Sequence, residues 1–168
     1  MERKGLITMK GNPVTLFGNE VKVGDNAPDF NVVDMGLAPK SLQDYSGKLK
    51  IISVTPSLDT PVCDMQMRTF NEKASKYKDA VVLNISMDLP FAIKRFCTTA
   101  GIENVVGLSD YKDASFGQNY GLLIKELRLL ARAVLVIDKD DKIVYYELVK
   151  EVTEHPDYEK LFAFLDNL

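Results

Sequence analysis

The apolar run Ile51-Ile52-Ser53-Val54 stops just before Pro56-Ser57-Leu58-Asp59, and Thr60-Pro61 then opens a stretch to Lys78 that contains few turn residues. That pattern predicts a buried strand, a short loop and a long helix, the unit from which layered α/β folds are built. Threonine is a favourable N-cap, and proline suits the first helical position, where a missing N–H costs nothing. Cys63 falls in the first helical turn, where free backbone N–H groups and the positive end of the helix dipole favour a thiolate. Lowered pKa together with partial exposure makes a cysteine a nucleophile. The expectation is a Cys63 thiolate at neutral pH and redox chemistry at its sulfur.

The remaining elements follow in a definite order. Leu6–Met9 and Val14–Phe17 alternate around Gly11-Asn12, predicting an N-terminal hairpin within about residues 5–20. A short strand is expected over Phe30–Val33 and a core strand over Lys48–Val54, with the first long helix from Pro61 to about Lys78. Val81–Ser86 reads as a second buried strand. A helix then starts at Asp88-Leu89-Pro90 and ends near Gly101. A short helix over Ala114–Tyr120 precedes strands Ala133–Asp138 and Ile143–Leu148, joined by Lys139-Asp140-Asp141. Tyr158, Leu161, Phe162 and Leu165 share one face of a closing helix over Asp157–Leu168. This order is that of a thioredoxin-like α/β fold: a central mixed sheet, helices on both faces and an N-terminal β-hairpin. At 168 residues, with no repeats and no Pro/Gly/Ser-rich linker, one domain over 1–168 is expected.

Composition excludes several classes of function. A net charge of −3 offers no electrostatic footprint for nucleic acid. No apolar run approaches the roughly 18 residues of a membrane span. Met1 to Thr8 lacks the apolar core of a signal peptide, so a cytoplasmic protein is expected. The cysteines are Cys63 and Cys97 and the one histidine is His155, a poor set for structural zinc. No metal or cofactor is expected. His155 precedes Pro156 in a predicted loop and reads as a solvated side chain, so the thiolate must rely on helix dipole, hydroxyl and arginine.

Cys97 lies in the last turns of its predicted helix, where the dipole gives a thiolate no help. It reads either as a small apolar residue beside Ile93 and Phe96, or as a thiol awaiting an oxidised partner. A peroxide cleaved by a thiolate leaves a sulfenic acid, which must be trapped by another thiol before further oxidation makes it inert. The leaving oxygen needs fixed donors. Thr60, three residues before Cys63, can reach across the first turn. Arg132 and Arg68 are the candidate guanidinium groups. Arg132 interrupts the apolar run Leu129–Ile137, as a site residue or as an edge arginine. Arg68, five residues past Cys63, falls off its helical face and reads as a surface ion-pairing residue. The lysines at 73, 76 and 78 read as a solvated face.

The motif Pro56-x-x-x-Thr60-x-x-Cys63 matches the peroxiredoxin active-site pattern. Its extension Asp59-Thr60-Pro61-Val62-Cys63-Asp64 with Arg68, Phe70, Asn71 and Glu72 resembles the bacterial thiol peroxidase branch of the atypical two-cysteine peroxiredoxins. So do Asp88-Leu89-Pro90-Phe91-Ala92, Lys94-Arg95-Phe96-Cys97 and Leu130-Ala131-Arg132-Ala133-Val134, and the resemblance runs on through Glu151-Val152-Thr153. It implies a peroxidatic Cys63 and a resolving Cys97 joined within one chain, with Thr60 and Arg132 completing the site and Pro56 shielding the thiolate. It further implies thioredoxin as reductant, hydrogen peroxide and alkyl hydroperoxides as substrates, and a homodimer. The chain departs from the pattern at Met65, at Met67, which is expected to line the pocket, and at His155, expected to be neutral for catalysis. A peroxide-sensing switch that signals through a Cys63–Cys97 disulfide is the alternative. A disulfide reductase is disfavoured because no Cys-x-x-Cys is present.

Overall fold

The computed structural model describes residues 1–168. The first hairpin is β1 (Glu2–Met9) and β2 (Asn12–Phe17), paired antiparallel. The turn is Lys10-Gly11 rather than Gly11-Asn12, since both take positive φ (52° and 82°), as a two-residue hairpin turn requires. Next come β3 (Val32–Asp34), β4 (Pro39–Lys40), β5 (Leu49–Val54), α1 (Pro61–Ala74), β6 (Ala80–Ser86), α2 (Pro90–Ala100) and β7 (Val106–Ser109). The chain closes with α3 (Ser115–Asn119), β8 (Leu123–Ile124), β9 (Leu129–Leu130), β10 (Ala133–Ile137), β11 (Ile143–Leu148) and α4 (Tyr158–Asp166).

The central sheet runs β11-β10-β5-β6-β7-β3-β4, with β5-β6-β7 parallel and the other pairs antiparallel, and a second sheet runs β1-β2-β8-β9. Alternation along each central strand fills two cores. Ile51, Val82, Val134 and Val136 face α1, α2 and α4, whereas Ile52, Leu83, Ile85 and Leu135 face α3 and the second sheet. Helices thus cover both faces, unequally, and the hairpin sheet takes the larger share of the second.

Several boundaries shift for physical reasons. α1 ends at Ala74, four residues before the expected limit, and the chain turns through Tyr77 N–H to the Ala74 carbonyl (3.1 Å). Phe30 precedes β3 and packs edge-on against Phe116 (5.7 Å between centroids). β7 escaped the sequence reading because Gly107 interrupts a short apolar run. A Cβ there would lie 2.5 Å from Ile93 Cγ2, so glycine is what allows α2 to seat on the sheet. The run Leu129–Ile137 is two strands in two sheets. Ala131 and Arg132 form the crossing between them.

The residue after β7 holds the start of α3. Buried Asp110 accepts the Phe116 and Gly117 N–H groups at 2.9 and 2.8 Å. Burial pushes its carboxyl up from 3.8 to about 6, against the opposing pull of those N–H groups. A carboxyl raised in the folded state stabilises the fold when protonated, so its contribution is complete below the unfolded value and is lost as pH rises through about 6. Lowering the pH from 7 to 5 should add about 1 kcal/mol through this group. Urea midpoints at both pH values test this, and Asp110→Asn should remove that share of the difference. An unchanged pH dependence in the variant would rule the assignment out.

Candidate active site

β5 ends at Val54, and the loop from buried Pro56 through exposed Asp59 and Thr60 delivers the chain to the first turn of α1. Thr60 occupies the N-cap position with extended dihedrals and Pro61 is the first helical residue, as expected. The Thr60 side chain does not cap the helix. Its hydroxyl donates to the Ser57 carbonyl at 2.8 Å, a local bond that competes with capping. With that proton committed, Thr60 Oγ1 can only accept a hydrogen bond from an incoming group. This replaces the donor role expected from spacing.

Cys63 sits in the first turn with 0% exposure, more deeply than the partial exposure expected. Gln66, one turn further along the same face, is equally buried. It starts a polar chain inside the molecule. Gln66 Nε2 donates to Ser53 Oγ (2.7 Å) and Asn84 Nδ2 donates to the same oxygen (3.2 Å), while Thr55 Oγ1 lies 3.3 Å from Asn84 Oδ1. On its other side Gln66 Oε1 accepts from Arg132 Nη1 at 2.9 Å. Arg132 Nε donates to the Val152 carbonyl at 2.8 Å. Gln66, Ser53, Asn84 and Thr55 thereby each find a partner, and the guanidinium is held from two sides through Nε and Nη1.

Arg132 is 2% exposed, yet none of the ion pairs in the protein includes it. Two hydrogen bonds to neutral oxygens offset part of the cost of burying this cation, and an anion brought near it would offset more. Gln66, one turn along α1 from Cys63, ties that cation to the helix that bears the cysteine. Tyr158, the first residue of α4, lies within electrostatic reach of both groups: burial pushes its phenol up to about 12, Arg132 opposes the shift and Cys63 adds to it. Arg68, by contrast, is 47% exposed and pairs with Asp64 on the outer face of α1. The two arginines are clearly separated.

Cys97 lies on the inner face of α2 and belongs to the core beneath it, where burial pushes its thiol up. Both cysteines are free. α1 and α2 start after the parallel strands β5 and β6, and Cys97 is five residues deeper in its helix than Cys63. That offset is about 7.5 Å along the axis, in addition to a usual spacing of about 8–10 Å between packed helices. A disulfide needs Cα atoms within about 7 Å. Both thiols are free in this conformation, and an offset of that size must close before a disulfide can form.

Of the departures from the family pattern, Met67 is in the helix–sheet core rather than lining a pocket, and Met65 is on the surface. His155 is exposed, with Nδ1 3.1 Å from the Tyr158 hydroxyl. A cleft of about 620 Å³ lies between Ser57-Leu58-Asp59 and the α2 residues Phe91, Arg95 and Phe96, beside the loop that leads to Cys63. No helix is long and apolar enough to cross a membrane. Gln66 is the site residue that sequence reasoning missed. Its signal was a polar residue on the face otherwise carrying Cys63, Met67 and Phe70.

Residues 22–162 match the redoxin family model. Thiol peroxidases of Halalkalibacterium halodurans and Bacillus subtilis are 58% and 59% identical over 154 residues, each covering 92% of this chain and 93% and 92% of the relative. A peroxiredoxin-like protein of Aquifex aeolicus superposes with a TM-score of 0.90 at 42% identity, covering 98% of both chains. With a buried cysteine at a helix N-terminus and a buried, carboxylate-free arginine bonded to the glutamine one turn along that helix, these likenesses agree on one assignment: the chain belongs to the redoxin family, among the peroxiredoxin-type thiol peroxidases.

Proposed function

We propose that the chain reduces hydrogen peroxide and alkyl hydroperoxides through Cys63, resolves the product with Cys97 as an intrachain disulfide, and is regenerated by thioredoxin. The observation that carries this reading is the buried Arg132 guanidinium, matched by no carboxylate and held by Gln66 and Val152 beside the first turn that bears Cys63. The Cys63 thiolate attacks the terminal peroxide oxygen. A sulfur–oxygen bond forms, the oxygen–oxygen bond breaks, and the alkoxide leaves with a proton as alcohol or water. Arg132 offsets the charge that develops there, and Thr60 Oγ1 accepts from the peroxide O–H. Pro56, buried ahead of the loop, limits water around the thiolate. Cys97 then attacks the sulfenic sulfur and releases water, and a dithiol reductant supplies the two electrons that restore both thiols.

Cys97→Ser tests the sequence of steps. The variant should complete one turnover, accumulate sulfenic acid and lose thioredoxin-supported NADPH consumption. Normal recycling would remove Cys97 from the mechanism.

The offset between the sulfurs requires a local switch on oxidation. The first turn of α1, the last turns of α2, or both unwind, while the sheet stays in place, since only helix ends need open. Hydrogen exchange should lose protection at residues 61–66 and 93–101 in the oxidised form. Identical protection in both states, with the disulfide verified, would exclude the switch. Because the thiol pair must be returned to its reduced state, a reducing cytoplasmic setting belongs to the proposal. So does one domain over 1–168, since both cores share the central sheet. A homodimer completes it, as the family resemblance implies.

A further inference from the structure

The Glu151 carboxylate collects five donors. Oε1 accepts from Thr8 Oγ1 (2.8 Å) and Gly11 N–H (2.8 Å), and Oε2 accepts from Lys10 N–H (3.1 Å), Thr153 N–H (2.9 Å) and Thr153 Oγ1 (2.6 Å). Three of these belong to the tip of the β1–β2 hairpin, far away in sequence. The positive φ of Lys10 and Gly11 turns both N–H groups towards the same carboxylate. The Thr153 hydroxyl and N–H, then the Gly11 N–H and the Thr8 hydroxyl, hold the carboxyl well below the usual range, so it is ionised at neutral pH. Backbone bonds flank the contact: Thr8 N–H to the Lys150 carbonyl (2.7 Å) and Val152 N–H to the Thr8 carbonyl (2.8 Å). The next carbonyl along, that of Val152, accepts Arg132 Nε. A continuous path therefore runs from the hairpin tip through Glu151 and Val152 to Arg132, Gln66 and the turn of Cys63.

We propose that Glu151 is a positioning residue for peroxide reduction, locking the hairpin tip to segment 150–153 so that the Val152 carbonyl orients the Arg132 guanidinium. The inference rests on the role given to Arg132 above. An arginine held through only two of its nitrogens is sensitive to where those acceptors stand, and small misplacements of a reacting group are costly. The Val152 side chain is buried in the core and its N–H bonds the Thr8 carbonyl, so its carbonyl direction is set where segment 150–153 meets β1. The hairpin tip adds a second hold on that segment through Glu151.

Glu151→Gln keeps size and shape but turns an N–H₂ group towards backbone donors. In the full chain, the stopped-flow rate constant for reduced enzyme with hydrogen peroxide should fall about tenfold. The rate of disulfide reduction by thioredoxin should stay unchanged. Arg132 Nε–H should lose hydrogen-exchange protection in NMR spectra, a change that mere loss of stability elsewhere would not single out. Thr8→Val, which removes one donor and keeps the backbone pairing, should show a smaller effect of the same sign, and it carries the test if the first variant does not fold. An undiminished peroxide rate with a protected Nε–H would overturn the proposal, as would equal falls in both steps. Arg132→Lys measured in parallel separates the two levels. If it too is fully active, the role of Arg132 fails; if it is slow while Glu151→Gln is silent, only the present inference fails.

Discussion

Cys63→Ser should abolish peroxide consumption altogether while leaving the fold intact. A serine hydroxyl takes the same place in the first turn of α1, yet it is far too weak an acid to supply an anion near neutral pH. Sulfur is also the better nucleophile towards a peroxide oxygen. Burial makes the change one of chemistry, since serine is only slightly smaller than the residue it replaces. Cys97 cannot take over, because its thiol lies in the core under α2 and is held in the protonated form by burial. Residual turnover with hydrogen peroxide in the variant would mean that the reacting sulfur is not Cys63.

Arg132→Lys should slow peroxide reduction about a hundredfold, the scale on which losing one fixed donor to a developing oxyanion is felt. The guanidinium serves Gln66 Oε1 and the Val152 carbonyl with Nη1 and Nε, leaving Nη2 with no partner in the protein and available to substrate. An ammonium group at the end of a flexible stem cannot hold those two acceptors in a plane and present a further donor. Stopped-flow kinetics with reduced enzyme read the loss directly. Arg68→Lys should change little, because Arg68 makes an exposed pair with Asp64, and exposed pairs of that kind contribute little. A large loss at Arg68 with little at Arg132 would mean that the site uses the other arginine.

The central strands β5, β6, β10 and β11 and the helices α2 and α4 were readable because each carries one clean period: apolar runs or alternation in the strands, one apolar face in the helices. β8 and β9 were not, since two residues carry no period, and β8, on which β9 pairs, itself pairs with a hairpin strand more than a hundred positions away. The site was legible where chemistry demanded an odd residue. Arg132 stood out as a charge inside an apolar run, and the structure explains it as the crossing between two sheets. The Thr60 hydroxyl was misread in direction, because spacing reveals its reach but not the competing Ser57 carbonyl. The ring of donors around Glu151 was invisible in sequence, being assembled from both ends of the chain.

The most direct test treats fully reduced protein with one equivalent of hydrogen peroxide, quenches free thiols by alkylation and maps the products by peptide mass spectrometry. The account predicts a single product, the Cys63–Cys97 disulfide within one chain, replaced in Cys97→Ser by one oxygen atom on Cys63. Oxygen on Cys97 with Cys63 still alkylated, or a disulfide only between chains, would contradict it.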